Sequence, residues 1–112
     1  MTHTQNQPFR IMNVNVHSIH FDADIKLVGF IKEKLNKLTL FHDSILSGEV
    51  FLRLAKDTDH RENKVVEIRL AVPGRSLFAK RHSKSFEEAT DQAVEALRRQ
   101  AERNKIRLRS AS

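Results

Sequence analysis

Apolar and polar positions follow two different periods along this chain, and each predicts an element. Met12, Val14 and Val16 alternate with Asn13 and Asn15, the period of two that places every second side chain on one face of a strand. Asp22 or Asp24 then stands where a carboxylate can accept hydrogen bonds from the free amides of a first helical turn. Leu27, Val28, Ile31, Leu35 and Leu38 recur at spacings of three and four. They predict an amphipathic helix running to about Leu40, with Lys26, Lys32, Lys34 and Lys37 outside its apolar stripe and Phe41 tucked under its end. After Ser47-Gly48, Val50, Leu52 and Leu54 oppose Glu49, Phe51 and Arg53 in a half-buried strand. Residues 56–63 are polar and predict a hairpin loop, followed by a third strand in which Val66, Ile68, Leu70 and Val72 alternate with Glu67 and Arg69. Pro73-Gly74 is a turn signal, because proline presets the first turn dihedral and glycine accepts the positive one. Residues 76–80 are expected to return as a fourth strand. Ser85 with Glu88 fits a capping box, and Phe86, Ala89, Ala93, Leu97 and Ala101 trace one side of a long closing helix.

The element order predicts an α+β fold, a two-layer β-α-β-β-β-α arrangement with a four-stranded sheet and both helices packed on one face. The three later strands have short connections and should be antiparallel. At 112 residues and 39% hydrophobic content, the chain has material for one folded domain, and not the composition of a disordered one. That domain is expected over residues 11–109, with a flexible leader at 1–10 and a short tail at 110–112.

Charge changes the picture more by its placement than by its total. Lys and Arg number 20 against 14 Asp and Glu, a formal net charge of +6, and such a surface attracts polyanions. Within residues 98–109, Arg98, Arg99, Arg103, Lys105, Arg107 and Arg109 are opposed by Glu102 alone, six minus one giving +5. A second cluster, Lys80, Arg81, His82 and Lys84, falls just before the capping box, where free helix amides also favour phosphate. Lys34 and Lys37 form a third row on the first helix. Cations late in a helix also complement its dipole, but that effect is worth roughly 0.3–1 kcal/mol per charge within the last turn, and one or two residues satisfy it. The candidate RNA-binding residues are therefore Lys34, Lys37, Lys80, Arg81, Lys84, Arg98, Arg99, Arg103, Lys105 and Arg107. Tyr and Trp are absent and most of the seven Phe fall at predicted core positions. Phe51 is the one good candidate for base stacking, so contacts to phosphates and to RNA shape are expected to dominate.

Chemistry beyond binding is not indicated. There is no cysteine, hence no disulfide framework or thiolate metal site. His17 and His20 fall in a strand-to-helix connection without further ligands at metal spacing. Asp22 with Asp24 reads as a helix cap, and Asp57 with Asp59 as a solvated loop. No phosphate-cradling Gly loop or nucleophile elbow is present, so we expect no enzyme, no metal, no cofactor and no small-molecule substrate. No apolar run approaches the ~20 residues that span a bilayer, and the polar start lacks the apolar core of a secretory signal. A cytoplasmic protein, monomeric when free, is the expectation.

Two segments carry a family likeness. Lys34-Leu35-Asn36-Lys37-Leu38 followed by Phe41 and Ile45 closes the first helix. Ser85 to Arg103 has a short acidic capped start, Ala-rich turns and Leu97-Arg98-Arg99-Gln100 before Arg103 and Lys105. In this order, from about Met12 to Arg107, the chain resembles the short form of the ribosome hibernation promoting factor / ribosome-associated inhibitor A family (sigma-54 modulation protein-like). The resemblance implies binding to the small ribosomal subunit in the channel used by messenger and transfer RNA, blocking translation in stationary phase or starvation. It implies RNA contacts from Lys34, Lys37, Arg99, Arg103 and Lys105. The chain departs from the family before the second helix, where Ser85-Phe86-Glu87 replaces an Asp-Met-Tyr-like start, so contacts from Lys80, Arg81 and Lys84 rest on charge alone. Long members carry a further C-terminal domain that pairs ribosomes; as this chain ends at Ser112, pairing is expected to need another factor. Two other readings stay open: a general double-stranded-RNA-binding module, and a regulatory protein that binds an acidic protein partner.

Overall fold

Alternation builds the sheet. In the computed structural model, which describes residues 12–56 and 62–111 with the side chains of the last helix described to Lys105, the strands are β1 (Asn13–Ser18), β2 (Ser47–Leu54), β3 (Lys64–Val72) and β4 (Arg75–Ser83). The helices are α1 (Ile25–Leu38) and α2 (Phe86–Ala111). The expected leader at 1–10 and residues 57–61 of the hairpin loop lie outside the described residues. The sheet order is β1-β2-β3-β4. The three later strands are antiparallel as expected, and β1 joins the edge of β2 in parallel, which requires the α1 crossover between them. Val50, Leu52, Val66, Ile68, Leu70, Leu77 and Ala79 form the buried face against Ile31, Leu35, Ala89, Ala93 and Leu97 of the helices.

Local chemistry fixes where each helix begins and ends. The Asp24 carboxylate accepts from the Lys26 amide at 3.2 Å, and the Ser85 hydroxyl accepts from the Glu88 amide at 3.0 Å, each satisfying a donor that a helix start leaves free. Asn36 anchors α1 to the sheet: its Oδ1 accepts from the Met12 amide at 2.6 Å while its Nδ2 donates to the Lys32 carbonyl at 2.9 Å. Gly48 sits where a Cβ would come within 3.1 Å of the Leu70 side chain on β3 and 3.8 Å of Leu35 on α1, so side chains from sheet and helix both close over this point of β2. At the β3–β4 hairpin, Gly74 takes φ +80, the conformation the Pro73-Gly74 pair predicts.

Four expectations are corrected. The helix α1 stops at Leu38 with Thr39 as its cap, short of Leu40. Phe41 does not tuck beneath it but is 71% exposed, while His42 and Ile45 are buried there; the chain leaves the helix through a turn that rotates Phe41 outward. Leu54 ends its strand beyond the reach of the helices and is exposed. The fourth strand runs to Ser83, because β3 is long enough to pair Lys64 with Ser83. This extends the strand beyond its expected end at Lys80 to take in Arg81, His82 and Ser83, and leaves only Lys84 beside the capping serine.

His42 has little exposure, and its Nδ1 lacks a hydrogen-bond partner. Burial lowers its pKa below the ordinary 6.5; Glu102 opposes this, and Lys105 and Arg98 add to the lowering. A neutral native imidazole contributes stability that is complete above the ordinary pKa, and is lost as pH falls through that value toward the lowered native one, because the unfolded chain takes up the proton first. Urea unfolding midpoints should therefore drop between about pH 7.5 and about pH 5, and His42→Gln should flatten that dependence. The same unfolding assay tests the packing: Leu35→Ala should cost about 2–5 kcal/mol, whereas Phe41→Ala should stay within about 0.5 kcal/mol of the parent.

Candidate nucleic-acid interface

The two helices lie side by side and point the same way. The rings of Phe21, ahead of α1, and Phe86, at the start of α2, stack at 5.4 Å and 11°. Further along, Lys34 Nζ meets Asp91 Oδ1 at 3.1 Å. At the far end His42 Nε2 lies 3.7 Å from Glu102 Oε1. The C-terminal ends of both helices therefore point to one end of the molecule; Lys37 on α1 and Arg98, Arg99, Arg103 and Lys105 on α2 lie toward it, and Lys34 lies farther back, beside Asp91 in the second turn of α2. Arg107 lies beyond the last described side chain.

Several of these cations are held by carboxylates that counting charge over residues 98–109 missed. Glu95, one turn upstream, receives Arg98 through two hydrogen bonds of 3.1 and 2.7 Å and approaches Arg99 Nε at 3.5 Å. The Arg98 hydrogen bond holds the Glu95 carboxyl below the usual carboxylate range, and the carboxylate in turn raises Arg98. Lys37 pairs with Glu33 at 3.7 Å, and Lys34 adds a contact over the Phe30 ring at 5.4 Å. Glu102 is thus not the single opposing acid. These pairs are solvent-exposed, and such pairs contribute only about 0–1 kcal/mol; they orient the side chains without removing them from competition for phosphate. Arg103 and Lys105 have no ion pair among the described residues.

The basic residues of α2 divide between two flanks. Arg98 and Lys105 lie toward the end of α1, where both act on His42. On the other flank, Gln100 reaches the edge of the sheet: its Oε1 accepts from the Phe78 amide at 3.2 Å and its Nε2 donates to the Phe78 carbonyl at 2.7 Å. The carboxamide thereby occupies the free backbone groups of an edge strand and clamps α2 to β4. Just beyond it, Arg75, Leu77, Gln100, Arg103 and Asn104 line a notch of about 200 Å³.

The second predicted cluster does not join the first. Since Phe78 meets Gln100 and β4 runs antiparallel to α2, Lys80, Arg81 and Lys84 lie toward the start of α2, away from Arg103. Lys80 is exposed on the helix-free sheet face, Arg81 donates to the Lys80 carbonyl at 2.8 Å, and Lys84 is exposed before the helix. The helix-free face also holds Phe51, stacked on His17 at 4.9 Å, with His17 Nε2 3.0 Å from Glu49, an arrangement that gives His17 a role without a metal. Phe78 is 43% exposed there with Arg69 5.8 Å from its ring. Sequence reasoning missed Phe78, whose place between Leu77 and Ala79 marks it as outward-facing by alternation. It also missed Arg75, whose only signal is its position after the turn.

Among the described residues, no three His, Cys, Asp or Glu side chains cluster to hold a metal ion, and no helix is long and apolar enough to cross a membrane.

Comparison with known proteins agrees with this architecture. Residues 14–109 match the family model described as Sigma 54 modulation protein / S30EA ribosomal protein. A ribosome hibernation promotion factor of Deinococcus radiodurans is 31% identical over 78 residues, 70% of this chain and 41% of that protein; the chain thus spans about two fifths of the length of this curated relative. Among solved structures, a ribosomal subunit interface protein from Coxiella burnetii superposes with a TM-score of 0.73 at 18% identity, covering 85% of this chain and 99% of that one. The N-terminal domain of Thermus thermophilus Protein Y gives 0.70 at 24% identity, covering 82% and 98%. At these identities the two structures speak for the fold. The family model spans nearly the whole chain, and on that match the chain belongs to the Sigma 54 modulation protein / S30EA ribosomal protein family.

Proposed function

We propose that this protein is a ribosome-associated translation inhibitor of the hibernation type, which binds the small ribosomal subunit in the messenger and transfer RNA channel during stress or stationary phase. The observation that carries the reading is the common direction of α1 and α2, which turns Lys37 on one helix and Arg98, Arg99, Arg103 and Lys105 on the other toward one end of a two-layer domain, with Lys34 farther back on the same pair of helices. Long basic side chains on helix surfaces suit the phosphates of folded RNA, where position and shape count more than base identity. The similarity to a hibernation promotion factor from Deinococcus and a ribosomal subunit interface protein from Coxiella supports the ribosome as partner. Such a role belongs in the cytoplasm and requires no reaction at the site. Binding excludes messenger and transfer RNA by occupying their path.

The exposed pairs with Glu95, Asp91 and Glu33 fit this role. Each keeps a cation extended and each is weak enough for a phosphate to replace the carboxylate. Arg99→Glu combined with Arg103→Glu should abolish co-sedimentation with small subunits while leaving thermal unfolding unchanged; undiminished sedimentation would remove the proposal. Replacing Arg103 alone by Gln should reduce the slope of log affinity against log salt by about 1. Binding to a plain RNA duplex as tight as to small subunits would favour a general duplex binder instead, and a cellular partner retained after nuclease treatment would favour an acidic protein.

A further inference from the structure

We propose that the notch between the start of β4 and the turn of α2 that carries Gln100, Arg103 and Asn104 is a binding site for a single phosphate group. Two guanidinium groups line it from separate elements, Arg75 just after the β3–β4 turn and Arg103 on α2, and no carboxylate is among the lining residues. Neither arginine has an ion pair among the described residues. Arginines brought together without an acid repel each other, and a doubly charged oxyanion relieves that repulsion through the planar donor forks of both.

A second observation points the same way. Asn104 lines the notch with a carboxamide side chain and is only 5% exposed. A polar group so placed gains by receiving a ligand oxygen. The walls are rigid: Gly74 fixes the turn before Arg75, and the Gln100 clamp on the Phe78 backbone fixes the register of α2 against β4. A volume of about 200 Å³ takes one tetrahedral oxyanion with accompanying water but not a folded helix of RNA. The notch opens on the β4 flank of α2, away from the flank shared with α1. This inference rests on the RNA reading only for the source of the phosphate, which is either a backbone phosphodiester or a free phosphate group.

The test is an NMR titration of the full chain that follows arginine Nε–Hε and carboxamide signals. One arm uses inorganic phosphate and the other a single-stranded RNA hexanucleotide without terminal phosphates. Arg75, Arg103 and Asn104 signals should move saturably with phosphate, and Arg75→Gln should weaken that binding about tenfold or more, the contribution of a hydrogen bond to a charged group. Arg75 is an exposed residue at the very start of β4, so the variant keeps its fold, and Lys26→Gln at the start of α1 serves as control. If the oligonucleotide moves the same signals and phosphate competes with it, the site holds RNA backbone; if only phosphate moves them, it holds a free phosphate group. Either result supports the site. Shifts that stay linear and are equal in the parent, Arg75→Gln and Lys26→Gln proteins would overturn it. Ribosome sedimentation of the Arg99→Glu, Arg103→Glu protein is read separately, so failure of the ribosome reading and failure of the notch are distinguishable.

Discussion

The packing of a small-residue stripe on α2 against the sheet, directly beside α1, is the constraint on which the rest of this molecule depends. Ala89, Ala93, Ala96 and Ala101 are all buried, and short side chains let the helix backbone approach β3 and β4 closely enough for Gln100 to reach the edge of the sheet. Leu97, Ile31 and Leu35 fill the space between the layers, each such side chain stabilising the fold by about 1.5–3 kcal/mol. Because β1 pairs in parallel with β2 and β4 runs antiparallel to β3, both helices return across the sheet in one direction. Everything at their C-terminal ends is then carried to the same place.

That placement turns a modest net charge into a directional one. The cations at the helix ends complement the helix dipoles, and their partners, Glu33, Asp91 and Glu95, come from the preceding turns or the neighbouring helix. Exposed pairs of this kind add little to stability and leave the guanidinium and ammonium groups splayed toward solvent. The sheet face away from the helices has another character. There Glu49 pairs with His17 and Glu67 with Arg53, while Arg69 lies over the Phe78 ring and Lys80 is exposed, so the basic side chains are fewer and more spread out than on the helices. The asymmetry between the two layers, rather than the total of lysines and arginines, sets where the basic side chains concentrate.

Much of the fold was legible because its signals are periodic and local. Val66, Ile68, Leu70 and Val72 repeat every second residue and are buried together, and the caps at Asp24 and Ser85 sit where short polar side chains meet the start of an apolar stripe. Phe41 misled because its hydrophobicity suggests burial, while the direction of the turn after Leu38 decides its exposure and gives the interior to His42 and Ile45. The extent of β4 was hidden for a related reason: Arg81 and His82, past the expected end at Lys80, look like a loop by composition, but an edge strand tolerates long polar side chains when its neighbour is long enough to pair with it.

From the sequence alone came the elements, their order, the two-layer class and the identity of the basic residues, since each depends on side-chain period, capping chemistry or charge along a short stretch of chain. Only the tertiary structure decided which of those residues share a surface. It brought Lys34 to Asp91 and His42 to Glu102, separated Lys84 from Arg103, and set Arg75 beside Arg103 and Asn104 across a distance in sequence that no local pattern spans. The physical reason is that ion pairs, notches and charged faces depend on distance in space, and distance in space is settled by how the helices pack on the sheet.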